Sequence, residues 1–161
     1  MNGFYMAMRG KFTDPSATIH YYLVEWPTAS LSWADFRGKV LGATDPAEAS
    51  QGSLRRAILD DWRALGLPAC PDTGDNGVHA SASPFEALSE RVNWCGASFE
   101  TDAYGRGLVA AGVDAKTLQA WAEDPQVKLP GGGAGSLFDA LEDLDADKCL
   151  ETAKAIKKAN E

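Results

Sequence analysis

Ser83-Pro-Phe-Glu constrains the folding of this chain more than any other four residues. A serine side chain accepts from an amide of the first helical turn, and proline's fixed φ suits the first helical position. Glu86 completes the capping box by reaching back toward the open amides. A helix is therefore predicted from Pro84, with Phe85, Leu88, Val92 and Cys95 forming its buried stripe up to Gly96.

The segment before it, "DNGVHASAS", sets His79 among small polar residues. Earlier still, "GFYMAMRGKF" and "ATIHYYLVEW" flank the turn signal "TDPS", which predicts two strands joined as a hairpin. "SLSWADFRGKVLG" reads as a short helix with serine before it and Gly42 after it. "SLRRAILDDWRALG" reads as an amphipathic helix with Leu54, Ile58, Trp62 and Leu65 on one face, followed by the loop "LPACPDTGDNG". Beyond Gly96, "YGRGLVAAGV" and "DAKTLQAWAED" predict short helices, "PGGGAGS" a flexible link, and "LFDALEDLDADKCLETAKAIKKA" a final helical region.

The length of 161 residues suits one domain, and no run reaches the roughly 20 apolar residues of a membrane span. Fifteen Lys and Arg against 23 Asp and Glu leave a formal charge of −8, which argues against nucleic acid and anionic membrane as partners. Any anion site must be local. "MNGFYMAMRGKF" is too polar for a signal peptide, so the expected location is the cytoplasm, with a cilium or flagellum as its special case. Cys70, Cys95 and Cys149 lack metal-type spacing and are read as reduced thiols.

Two motifs are set aside. "GGGAGS" has no P-loop lysine, and "DLDADKCLE" lacks the glycine and the final glutamate of an EF-hand loop. His20 lies in an apolar predicted strand, where a hydrogen-bonded structural histidine is the commoner case. Arg55 and Arg56 fall in a first helical turn, where the dipole disfavours cations unless an anion binds; two solvated arginines paired with Asp60 or Asp61 are the alternative.

Taken in order, "LGATDP", "GSLRR" and "NGVHASASPFEALSERVNW" resemble the corresponding segments of nucleoside diphosphate kinases over about Ser32 to Trp94. The resemblance implies His79 as phosphoryl-accepting nucleophile and Ser81 with Glu90 as the pair that positions its imidazole. Lys39, Thr44, Arg55 and Asn76 would bind nucleotide or phosphate. Lys39 stands where the family has arginine, which keeps charge and loses bidentate geometry. No metal ligand is implied on the protein; Mg²⁺ would arrive with the nucleotide. The implied reaction is transfer of a γ-phosphoryl group from a nucleoside triphosphate to His79 and on to a nucleoside diphosphate.

The departures are specific. The family's first strand, with its phosphate-contacting lysine, has no counterpart before Phe4, and Ala80 and Ala82 replace a glycine and a carboxylate. "WCGASFETDAYGRGLV" weakly resembles that missing start, as in a circular permutation, with Glu100 in the lysine's place. The expected fold is α+β, a ferredoxin-like antiparallel sheet with packed helices over residues 1–96 and a helical extension over 97–161 that completes the same domain or stands apart from it. The second functional expectation is a catalytically weakened, kinase-like subunit of a larger assembly such as an axoneme, and homo-oligomers fit either one.

Overall fold

The structure is a computed structural model that describes residues 10, 11 and 13–161. Its regular elements are α1 (Trp33–Asp35), a π-helical turn (Phe36–Leu41), α2 (Leu54–Asp61), α3 (Pro84–Cys95), α4 (Ala103–Ala110), α5 (Ala115–Trp121), β1 (Gln126–Lys128), β2 (Ala134–Ser136), α6 (Leu137–Leu141) and α7 (Ala146–Ala159). The chain is α+β. Two compact units divide it, one of residues up to Ser30 with Gly38–His79, the other of Leu31–Arg37 with Ala80–Glu161. The capped helix α3 belongs with the C-terminal helices in the second unit.

The second unit is built around a hydrophobic core to which β1 and every helix from α3 to α7 contribute. α3 begins as its sequence dictates: the Ser83 hydroxyl accepts from Glu86 N at 3.1 Å, and Gly96 ends the helix at φ 69°. Phe85 meets the edges of Trp121 and Phe138, each with ring centroids 6.0 Å away, so one aromatic side chain ties α3 to α5 and α6. The Asp102 carboxylate caps α4 through Tyr104 N and Gly105 N and takes a two-pronged ion pair from Arg91 on α3 at 2.8 and 3.0 Å. Burial alone would raise the Asp102 pKa, but the Arg91 guanidinium and the two amides hold its carboxyl below the ordinary carboxylate range.

The glycine-rich stretch is a hairpin turn rather than a flexible link. β1 and β2 pair antiparallel with Val127 opposite Gly135, and Leu129 N donates to Gly133 O at 3.0 Å across the turn. The final helical region is two helices, interrupted where Asp143 takes φ 59°. On α7, Cys149, Ala153 and Ile156 recur at helical spacing and are fully buried, and Asn160 clasps β1 through both the N–H and the carbonyl of Lys128.

In the first unit the "TDPS" turn forms, with Asp14 accepting from Ser16 N and Ser16 Oγ. The predicted strand "GFYMAMRGKF" lies almost wholly outside the described residues. Residues 17–27 carry no regular structure, so the only sheet among the described residues is β1–β2, and a ferredoxin-like sheet is not among the described elements. The physical reason is that Ile19, Tyr21, Tyr22, Leu23 and Val24 are exposed and have no described strand to pair with. The amphipathic helix is shorter than its pattern: α2 stops at Asp61, Trp62–Gly66 form turns, and no residue of α2 is buried. Among the described residues, no helix is long and apolar enough to cross a membrane.

Candidate functional site

His79 is exposed and is the last residue of the first unit. On its N-terminal side, Gly42 begins the "LGATDP" loop with φ 98°, packed so closely that a Cβ there would sit 2.5 Å from Ser53 Oγ. Ser53 is buried at the start of α2, and its hydroxyl donates to Ser50 O at 2.7 Å instead of capping the helix. That geometry sends Arg55, two residues on, across the loop. Its Nη1 donates to Gly42 O at 2.7 Å and its Nη2 to Val78 O at 3.1 Å. Asn76 Nδ2 donates to Thr44 O at 3.1 Å, so two side chains bind the loop of Thr44 to the segment that carries His79.

Arg55 and Arg56 thus part ways. Arg56 lies along α2 and pairs with Asp60 at 2.9 Å, as a solvated helix arginine does. Arg55 turns inward and places its charge on two backbone carbonyls, using two of its five N–H donors. Its position in the first turn is explained by those acceptors without a bound anion. Thr44 is exposed, and Lys39 is exposed on the π-helical turn.

The second unit resumes at Ala80 and holds the following residues independently. Ser81 Oγ donates to the carboxylate of Glu90, in the second turn of α3, and Ala82 N donates to Glu86. The capping box is therefore shifted by one residue: Glu86 reaches the amide before the N-cap rather than that of the N-cap itself. Ser81 O accepts from Trp33 Nε1 at 2.9 Å, and Ala82 O accepts from Asp143 N at 2.9 Å. The short segment 81–83 is bonded at its backbone and both serine hydroxyls, which holds Ser81 and Glu90 together.

Trp33 and Asp143 are the positioning residues that the sequence does not announce. α1 is oriented by Trp33 N donating to Asp145 Oδ1 at 2.7 Å, and Arg37 pairs with Glu142 and Asp143. Burial alone would lower the Arg37 pKa, but these two acids outweigh it and raise the value. An indole N–H is a donor that seeks an acceptor when half-buried, and this is the one signal in the sequence that pointed to Trp33. Among known proteins, the chain matches no protein-family model, no curated protein and no solved structure.

Proposed function

We propose that the chain is a nucleoside diphosphate kinase-like phosphotransferase with His79 as its nucleophile. The observation that carries this reading is the bracing, within the first unit, of the backbone that leads into an exposed histidine: Arg55 holds the carbonyl of Val78, the residue before it. In-line attack on phosphorus requires a nucleophile carried on a positioned backbone.

In the first half-reaction one ring nitrogen of neutral His79 attacks the γ-phosphorus of a Mg²⁺-bound nucleoside triphosphate. The nitrogen–phosphorus bond forms, the bond to the β-phosphate oxygen breaks, and the nucleoside diphosphate leaves with that electron pair. In the second, a terminal oxygen of another nucleoside diphosphate attacks the phosphohistidine and restores the imidazole. Arg55 contributes positive charge, Lys39 and Thr44 contact the phosphates, and Asn76 contacts sugar or phosphate. Ser81 and Glu90 act as positioning residues. Mg²⁺ enters as part of the nucleotide substrate. A ferredoxin-like arrangement belongs to the same proposal and requires Ala17–Trp26 to pair as a strand; so does a cytoplasmic or ciliary location.

A weakened, assembly-forming subunit is the second reading, and the two guanidinium donors committed to backbone carbonyls favour it. Incubation with γ-labelled ATP and Mg²⁺ separates the two. The kinase reading expects acid-labile, base-stable label that is lost in His79→Asn, retained in His20→Ala and discharged by GDP. Equal background label in wild type and His79→Asn would overturn it.

A further inference from the structure

Burial is divided unevenly between the two units. Among the described residues the hydrophobic core lies wholly in the second, whereas the largest side chains fully or nearly buried in the first are Leu41, Pro46 and Pro71. Most of the exposed large hydrophobic residues fall in the first unit, and five of them are crowded into one stretch: Ile19 at 46%, Tyr21 at 61%, Tyr22 at 85%, Leu23 at 68% and Val24 at 59%. The stretch is bounded by Pro15 and Pro27, contains no glycine, and is the richest in β-branched and aromatic residues in the chain.

We infer that Ala17–Trp26 is a self-association strand that pairs antiparallel with the same segment of a second copy of this chain across a two-fold axis. Three observations select a second copy. The first is area: at these exposures the five side chains offer at most about 600 Å² per copy, Ile19, Tyr21 and Leu23 on one face of the strand and Tyr22 and Val24 on the other, so about 1,200 Å² in total is the ceiling, at the lower bound of stable interfaces.

The second is charge. The chain carries −8 overall, so two copies repel, yet this segment holds a single acid, Glu25, near its end. A two-fold axis perpendicular to the paired strands sets each residue opposite one of the same parity. With Tyr21 on the axis, Ile19 faces Leu23 of the second copy twice over, and Glu25 faces Ala17. The two Glu25 carboxylates then lie about 27 Å apart, beyond a Debye length. The third is the backbone: an extended segment without ladder partners among the described residues is a template for strand addition, and pairing satisfies its amides and carbonyls.

The test is sedimentation velocity of the full chain from about 1 to 100 μM, with far-UV circular dichroism as the folding control. The strand reading expects a concentration-dependent dimer. Tyr21→Lys and Leu23→Lys should each weaken it by about 100-fold with an unchanged spectrum, because a desolvated ammonium would face the centre of the interface. Leu65→Lys, at an exposed apolar residue elsewhere in the same unit, should leave it intact. In a Cys70→Ser/Cys95→Ser background, Tyr21→Cys should form an intermolecular disulfide under mild oxidation, since opposed residues on the axis lie within disulfide reach. A monomer at every concentration, as pairing within one chain would produce, overturns the inference. So does a dimer that survives both lysine variants, or open-ended aggregation in place of a closed dimer.

Discussion

Replacing Arg55 asks whether its charge serves the fold or waits for a ligand. Arg55→Ala removes the donors to Gly42 O and Val78 O, which with the Asn76 bond to Thr44 O join the Thr44 loop to the His79 segment. A hydrogen bond from a charged donor contributes about 1.5–3 kcal/mol. The guanidinium is only half-buried, so water replaces part of each bond and the pair together is worth about 2–3 kcal/mol. Arg55→Lys presents one ammonium that cannot span both carbonyls, and about half of that loss is expected.

Hydrogen exchange without nucleotide reads the effect where it occurs. The amides of Ala49, Ser53 and Asp75 are hydrogen-bonded in the tethered segments. They should exchange about 30- to 150-fold faster in Arg55→Ala, and about 5- to 12-fold faster in Arg55→Lys. Amides of α7, in the other unit, should be unaffected. Unchanged exchange at Ala49, Ser53 and Asp75, together with weaker nucleotide binding, would refute the tether and return Arg55 to the purely phosphate-binding role that the resemblance implies.

Other consequences follow from the second unit. A Cβ at Gly105 would lie 2.1 Å from Phe99 O, so Gly105→Ala must displace backbone and should cost about 3 kcal/mol or more in urea denaturation. A loss below about 1 kcal/mol would contradict the packing of α4. Burial pushes both the Cys149 thiol and the Tyr104 phenol up, and a hydrogen bond between the two couples them. Groups raised on folding stabilise fully below their unfolded pKa values and lose that contribution as pH rises. Stability should therefore fall from about pH 8.5, where unfolded cysteine ionises, by up to about 1.4 kcal/mol per pH unit, and more steeply above about pH 10 as tyrosine joins it. Cys149→Ala should flatten the first part of that slope; an unaltered slope would count against the assignment. Asp102 has the opposite sign: its lowered pKa stabilises above about 3.9 and is lost as pH falls through the folded value, so Arg91→Met should flatten the acid limb of the stability curve.

Legibility in the sequence followed local chemistry. From Ser83 to Gly96, where a formed cap, a stripe and a stop agree, the helix is where the pattern puts it, and the aspartates before α4 and α5 cap as their type predicts. Ser81 and Glu90 lie on that well-specified helix and its entry, where the hydroxyl donates to the carboxylate. The glycine-rich stretch misled because glycine serves a linker and a tight turn equally well. What decides is the Asn160 clasp on β1, a contact between residues 32 positions apart that no window can see.

The same distinction explains the strand that is missing at Ala17–Trp26. Strand propensity measures how well side chains fit a pleated surface once a partner is present, so a sequence can specify the fit without supplying the partner. A helix closes its hydrogen bonds within itself, whereas an isolated strand has every amide and carbonyl still to satisfy. Ile19, Tyr21 and Leu23 at alternate positions specify one face of a sheet, but the described residues beside them offer no edge on which to lay it. The second unit has no such need, because its helices bury one another's stripes around Phe85 and Leu88. The folding information in this chain is thus closed in the second unit and open in the first, and the histidine that resembles a nucleophile stands at the junction in sequence, carried by the unit whose own burial is least complete.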